Sequence, residues 1–531
     1  MLVLFLALQA QNPLARTVDP IRPDQNILHY DFAISIPDSG TAFTATARVH
    51  FRPVTRDGHL VLDLTDRLHV SYVAADGQPV AFTHQGDTLA IERWGPVGDS
   101  LIVEIAYDGS APNGLFIQRN VHGHRSAFAD DWPNRAHFWL PVEDHPSDKA
   151  SVSWTIDVPR TWKAVANGRF VDTTRLSSGR LRWRYNEPDR IPAYTFVIGA
   201  GVMAVTPLVT TTGVPQSIWT FPEDSAFAVN GPFKRVNEIV ETFSRYIGPY
   251  SYPKLAHVES STRFGGMENS GAIFYTERGY ANRSMREPVV AHETAHQWFG
   301  DAVTERDWHH LWLSEGFATY FASLYYELIG EDSTFRKRMA DAKHEYLTSD
   351  VVDRPILDFA ETNYMRLLNA NNYPKGGWVL HMLRRTIGDS AFHRGIRDYY
   401  ATYRDSTALS EDFREVMERA SGQDLGWFFD QWLTQPGYPK LKVTVRRSAD
   451  PPSLTADVEV EQLQPEAWGV FRIPVRIEVV NSTTGARAGV TVAMMARTAQ
   501  VAMTLPDGAD AIEVDPHQDV LLTAKAEFAG R

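Results

Sequence analysis

Not one cysteine occurs in the chain of 531 residues. Disulfides, thiolate-held zinc and a thiol nucleophile are therefore excluded, and any metal ion must be held by His, Asp or Glu. An excess of positive charge is absent too. Against 65 Asp and Glu stand only 52 Lys and Arg, for a formal net charge of −13. That balance excludes a nonspecific grip on nucleic acid or on an anionic membrane surface and favours small or peptidic ligands. Long apolar runs are missing: the one near the start, "MLVLFLAL", is too short to span a bilayer. It suits the apolar part of a signal peptide ending near Ala10, although no Lys or Arg precedes it. Residues 1–19 read as a leader segment, with export to a periplasm or the exterior as the expected location. There is no low-complexity tract and no solenoid-type repeat.

What remains is the composition of a globular chain, 43% hydrophobic and 22% charged, long enough for about three domains. In residues 20–205 the texture is strand-like. Tyr30, Phe32, Ile34 and Ile36 alternate with polar neighbours, "LVLDLT" repeats the pattern, and Gly, Pro, Asn and Asp punctuate the runs. An antiparallel β domain is expected there. Residues 206–438 turn mostly helical in runs such as "PFKRVNEIVETFSRYIG", "PVVAHETAHQWFG", "HHLWLSEGFATYFASLYYELIG" and "KGGWVLHMLRRTIG", which close on Gly as a helix end does. Two-residue alternation returns in 439–531 and predicts a small C-terminal β-sandwich. The fold class is α+β, multidomain.

The stretch "VVAHETAHQWFGD" carries the first chemistry. With Pro288 in the first turn, a helix is predicted from about Glu287 to Gly300. On it His292 and His296 share one face, and Glu293 lies about 100° round, near enough to reach a water on a metal without ligating it. A catalytic zinc needs a third protein ligand. Glu315, in "LWLSEGFATY" among Leu311, Trp312, Leu313, Phe317, Ala318, Tyr320 and Phe321, is the candidate, because a carboxylate in so apolar a run is costly unless paired or metal-bound. His292, His296 and Glu315 make a His₂Glu set of the thermolysin type. His309, His310, His381 and His393 have no partner at ligand spacing and are read as ordinary surface or core histidines.

Eighteen residues separate His296 from Glu315, "FGGMENSGAIFY" begins at Phe264, and "NYPKGGWVL" follows downstream. Together they resemble the aminopeptidase N family of zinc peptidases, gluzincins that include leukotriene hydrolase. Weaker echoes are "LPVEDHPSDKA", "AVANG" and "FFDQWLTQPGYP", so the likeness runs from about residue 25 to 440. It implies a thermolysin-like catalytic domain with one Zn²⁺ held by His292, His296 and Glu315. Glu293 is then the general base for the attacking water, and Tyr373 the donor to the oxyanion. It implies further that Glu268, in the Gly-Gly-Met-Glu-Asn block, binds the free α-ammonium of a peptide and so sets removal of N-terminal residues. Gly265 and Gly266 would let a substrate backbone approach closely, and Met267 and Trp132 would line the first side-chain pocket.

Two departures from the family stand out. Where relatives carry a second amine anchor, this chain reads "FADDWPNRAHFWLP", offering Asp130 and Asp131 as shorter replacements. Where many relatives have a large helical domain, it has the small β-patterned tail, which implies a more open cleft. The expected activity is that of a zinc aminopeptidase on peptides with a free N-terminus. Epoxide hydrolysis of the leukotriene hydrolase type and a silent peptide-binding scaffold are the alternatives.

Overall fold

Gln25–Ser35 and Phe43–Pro53 bury every second side chain, as strands with one face on a core must. Tyr30, Phe32, Ile34 and Ile36 are all on the buried side. In the computed structural model, which describes residues 12–55, 59–92, 97–447 and 454–529, these two strands lie at the centre of an eight-stranded sheet. The apolar run at residues 2–8, expected to serve as a leader, lies outside the described residues. The chain divides into two compact units, one of residues 17–308 with 397–409, the other of residues 12–16, 309–396 and 410–531.

In the first unit the eight-stranded sheet is not purely antiparallel, contrary to the expectation. Gln25–Ser35 pairs in parallel with Lys149–Val158, from His29 opposite Ser151 to Ser35 opposite Asp157. More than a hundred residues separate the two strands in sequence, so the return has the long crossover that parallel pairing requires. Stacked Trp139 and Trp154, with Phe32 and Phe196 against the latter, fill the core beneath the sheet. A five-stranded sheet follows, in the order Ala204–Leu208, Gln216–Thr220, Leu255–Ser260, Ala272–Thr276, Gly266–Met267. Its three inner strands are parallel. The helices Val236–Tyr246 and Glu287–His296 belong to the same unit, and Phe243 on the former meets Trp298 just past the latter.

The second unit is built round the helix Trp312–Leu328, of which nearly every residue from Trp312 to Tyr326 is buried. A helix apolar on all sides must be covered on all sides, and Asp332–Leu347 and Gly376–Ile387 pack against it. The C-terminal residues form a four-stranded and a three-stranded sheet whose buried faces carry Val443, Val445, Val458, Val460, Val475, Ile477 and Val479. Lys440–Arg447 and Thr523–Phe528 are a parallel pair within the former. Among the described residues no helix is long and apolar enough to cross a membrane.

Candidate active site

The helix Glu287–His296 has Pro288 in its first turn, where a missing N–H costs nothing. It ends at His296, four residues short of the predicted Gly300. Gln297 and Trp298 donate to the carbonyls of Thr294 and Ala295, which tightens the last turn and releases the chain. The Nε2 atoms of His292 and His296 are 3.1 Å apart. His296 Nδ1 lies 3.1 Å from the Phe299 carbonyl oxygen, an acceptor only, so Nδ1 carries the proton and Nε2 presents its lone pair. Two imidazole nitrogens converging at that spacing match ligands at about 2.0–2.1 Å from one ion, and an N,N set completed by a carboxylate suits Zn²⁺.

Glu268, Glu293 and His296 each present one donor atom, all within 4.8 Å of one another. What holds them so close is Gly266, where a Cβ would come within 2.1 Å of Glu293 Oε1 and 2.3 Å of its Cδ. Only a residue with no side chain leaves room for the Glu293 carboxylate. Gly265, by contrast, faces open space. Gly266 and Met267 form the last strand of the five-stranded sheet, paired on one side with Tyr275 and Phe274. Met267 and Glu268 are both buried.

Gln297 was not foreseen. Its Nε2 donates to the Glu268 carbonyl at 2.6 Å and to Asp301 Oδ2 at 2.7 Å, while its Oε1 accepts from Gly271 N at 2.8 Å and from the Tyr250 hydroxyl at 3.0 Å. This buried amide ties the end of the histidine helix to the segment that carries Glu268. The only hint in the sequence was a polar residue directly after the second histidine. Two weaker echoes serve the same framework. Asn167, from "AVANG", donates to the Thr195 and Ser270 carbonyls at 2.8 and 2.9 Å. Lys149, from "PSDKA", is buried and donates to the carbonyls of Asp301, Ala302 and Ser406.

Asp131 does not fit the role of amine anchor. It is fully buried, its Oδ1 accepts from Trp139 Nε1 at 2.9 Å, and burial holds its carboxyl well above the ordinary range. Asp130 accepts from Arg135 at 2.5 Å, and burial raises it to about 6 against the pull of Arg135 and Arg263. The Arg135 guanidinium lies 5.5 Å from the centre of the Phe264 ring. Trp132 sits edge-on to both Phe264 and Trp308. Asp130 thus reaches the Gly-Gly-Met-Glu segment through Arg135, as a brace.

In the second unit Glu315, buried on the helix Trp312–Leu328, accepts from the Tyr373 hydroxyl at 2.6 Å. Tyr373 lies in a π-helical turn, Asn371–Lys375, that leads into the helix Gly376–Ile387. The two helices meet at glycines, since a Cβ on Gly316 would be 3.0 Å from the Gly376 backbone and one on Gly376 would be 2.9 Å from Gly316 Cα. That close crossing brings the tyrosine onto the carboxylate. Lys375 is buried, donates to the Gln435 carbonyl at 3.2 Å and is pushed by burial down to about 7, so it is a framework residue. Three of the other histidines singled out in the sequence, His309, His310 and His381, have framework partners as well. His310 lies at Ser410 and the Arg16 carbonyl, His309 at the Glu361 carbonyl and His381 at the Gln518 carbonyl.

A paired-histidine helix with its own glutamate, and a glutamate on another helix that accepts from a tyrosine in the turn before a third, are residue types that H-E-x-x-H metal sites use. Residues 26–195 match the Peptidase M1 N-terminal domain and residues 232–432 the Peptidase family M1 domain. The chain belongs to peptidase family M1. It is 26% identical to probable aminopeptidase 1 of Sulfurisphaera tokodaii over 71% of this chain and 50% of that one. With aminopeptidase N of Lactococcus lactis subsp. lactis it shares 25% identity over 81% of this chain and 53% of the relative. The chain spans about half the length of the curated relatives it matches. In fold it is similar to the M1 zinc metallopeptidase from Deinococcus radiodurans, with a TM-score of 0.69 at 24% identity over 78% of this chain and 95% of that one. A mutant of that protein bound to a Tyr-Ser-Ala substrate superposes with a TM-score of 0.70.

Proposed function

We propose that the protein is a zinc-dependent aminopeptidase that removes N-terminal residues from peptides. The observation that carries this reading is the gathering of Glu268, Glu293 and His296 within 4.8 Å. It puts a carboxylate suited to an α-ammonium beside the base and a metal-type imidazole. Membership of family M1, the names of the aminopeptidase relatives and the Tyr-Ser-Ala complex of the Deinococcus radiodurans protein support it.

In this reading His292, His296 and Glu315 hold Zn²⁺, which when bound supplies Lewis acidity at the scissile carbonyl and acidifies the attacking water. Glu268 pairs with the substrate's α-ammonium, a charge-assisted contact that fixes the cut one residue from the end. The one-sided strand Gly266–Met267 offers backbone groups to an extended peptide. Glu293 takes the proton of the attacking water and returns it to the leaving amine. Tyr373 turns its hydroxyl from Glu315 to the oxygen on which negative charge develops.

The test compares one peptide with a free and with an acetylated N-terminus, using the wild type and Glu293→Ala. Cleavage of the free peptide alone, by the wild type alone, with zinc retained in both proteins, is the expected outcome. Equal cleavage of the acetylated peptide makes the enzyme an endopeptidase. No cleavage of either peptide by the zinc-loaded wild type removes the peptidase reading.

A further inference from the structure

A second group of metal-type donors lies in the first unit, apart from every residue used above. His122 sits in the turn between the strands Leu115–Arg119 and Arg125–Ala129, Asp224 ends the 3₁₀ turn Pro222–Asp224, and Glu259 is near the end of the parallel strand Leu255–Ser260. His122 Nε2 is 2.6 Å from Asp224 Oδ2, and one donor atom from each of the three residues lies within 4.8 Å of the other two.

Three carboxyl groups meet at this place. Asp224 and Glu259 are both buried, and the Glu277 carboxylate, which accepts from Val121 N at 2.8 Å, adds to the negative field on Glu259. Against them stand Arg283, bound to Asp224 Oδ1 at 2.8 Å, His122, and Arg278, which acts on Glu277. Glu259 uses Oε2 to accept the Phe221 N–H at 2.8 Å. Its Oε1 and the Tyr280 hydroxyl, both buried, have no hydrogen-bond partner among the described residues. Two orphaned polar atoms on residues at 0% exposure, near a second carboxylate, mark a missing partner, because a buried polar atom without a hydrogen bond is costly. Burial, with Asp224 and Glu277 beside it, pushes the Glu259 carboxyl up to about 10.

We propose that His122, Asp224 and Glu259 form a second divalent-cation site, for Zn²⁺ or a transition ion of similar preference. One imidazole and two carboxylates select such an ion over Ca²⁺ or Mg²⁺. Asp224 contributes Oδ2 while Arg283 holds Oδ1 in place, Glu259 contributes Oε1, and the partly exposed His122 side chain, at 23%, gives the ion its way in. The site is structural: it ties the 120–124 turn to the ends of two strands of the five-stranded sheet, and it takes no part in the peptidase chemistry.

The test is metal content measured on the full chain after stripping with chelator, reloading with Zn²⁺ and removal of free metal. Two zinc ions per chain are expected for the wild type, one for His122→Ala, one for Glu259→Gln and one for His296→Ala, which empties the other site. A wild type with one zinc that His122→Ala leaves unchanged overturns the proposal. A loss on His122→Ala but not on His296→Ala keeps it and counts instead against the ligand set assigned to the peptidase site. Thermal melting gives a second readout. In the His296→Ala background Zn²⁺ raises the melting temperature, and Glu259→Gln, which mimics a merely protonated carboxyl, abolishes that rise. A rise that survives Glu259→Gln sinks the site.

Discussion

The hydroxyl of Tyr373 donates to Glu315 Oε1 at 2.6 Å, across a helix crossing made possible by Gly316 and Gly376. The carboxylate is thereby kept oriented before any substrate arrives, and the phenol is held against it. If the phenol serves the oxyanion, Tyr373→Phe lowers kcat by about 10²–10³ with KM little changed. Zinc content stays the same, because Glu315 remains. A fall in zinc content with an unchanged rate per bound zinc would instead give Tyr373 a purely supporting role toward Glu315.

Gly266 and Glu293 are locked together by space. A methyl group on Gly266 would overlap the Glu293 carboxylate at 2.1 Å, whereas one on Gly265 meets nothing within 4 Å. Gly266→Ala is therefore expected to reduce kcat by at least about 10²-fold through misplacement of the base, and Gly265→Ala to change it less than about threefold. Steady-state rates of the two variants, with circular dichroism to check the fold, decide the matter. Equal effects would mean that Glu293 is free to move.

How much of this could be read from the sequence depends on the kind of constraint. The H-E-x-x-H spacing and Glu315 stand out in the sequence because two histidines one helical turn apart and a carboxylate in an apolar run are unusual patterns, whereas Tyr373 is marked only by the resemblance of its segment to the family. The strand pattern from Tyr30 to Ile36 was legible because burial imposes a period of two. What stayed hidden are relations made by packing between distant segments. Gln297 is one polar residue among several until the Glu268 carbonyl and Gly271 N–H are placed against it. Asp131 reads from the sequence as a substitute amine anchor, and only the fold sets the Trp139 indole against it. The parallel pairing of Gln25–Ser35 with Lys149–Val158 leaves no mark in an alternation pattern that either direction would satisfy.

Gln297 accepts two hydrogen bonds and donates two within a buried site, and the Glu268 segment hangs from it. Gln297→Ala is expected to raise KM for free-amine peptides by about tenfold or more, with a smaller effect on kcat. It should also narrow the gap between free and acetylated substrates, because the loosened segment no longer holds Glu268 on the ammonium. Stability should fall by about 1–3 kcal/mol for the groups left unpaired. Gln297→Glu keeps the acceptors for Gly271 and Tyr250 but sets a carboxylate against Asp301 and the Glu268 carbonyl, and is expected to be the worse of the two. An unchanged ratio of free to acetylated rates in Gln297→Ala would remove the positioning role.

Acid stability has a separate source in His257. It is fully buried among Phe233 and Tyr275, with Nδ1 3.0 Å from the Tyr275 hydroxyl, and burial pushes it down to about 3. In the unfolded chain it titrates near 6.5. Between these values the unfolded state binds the proton and the folded state does not, so folding stability falls as pH drops below about 6.5 and continues to fall to about 3. The loss approaches about 1.4 kcal/mol per pH unit well below pH 6.5 and amounts to about 2 kcal/mol between pH 6.5 and 4.5, since at pH 6.5 the unfolded imidazole is already half protonated. Buried carboxyls such as Glu187, raised to about 8, and Glu259, raised to about 10, act with the opposite sign. The total profile is therefore a mixture, and the informative quantity is a difference. Urea unfolding of the wild type and of His257→Gln at pH 6.5 and 4.5 should show the wild type losing about 2 kcal/mol more than the variant over that interval. Parallel losses in the two proteins would mean that His257 takes up its proton in the folded state, and that its pocket opens to water well above pH 3.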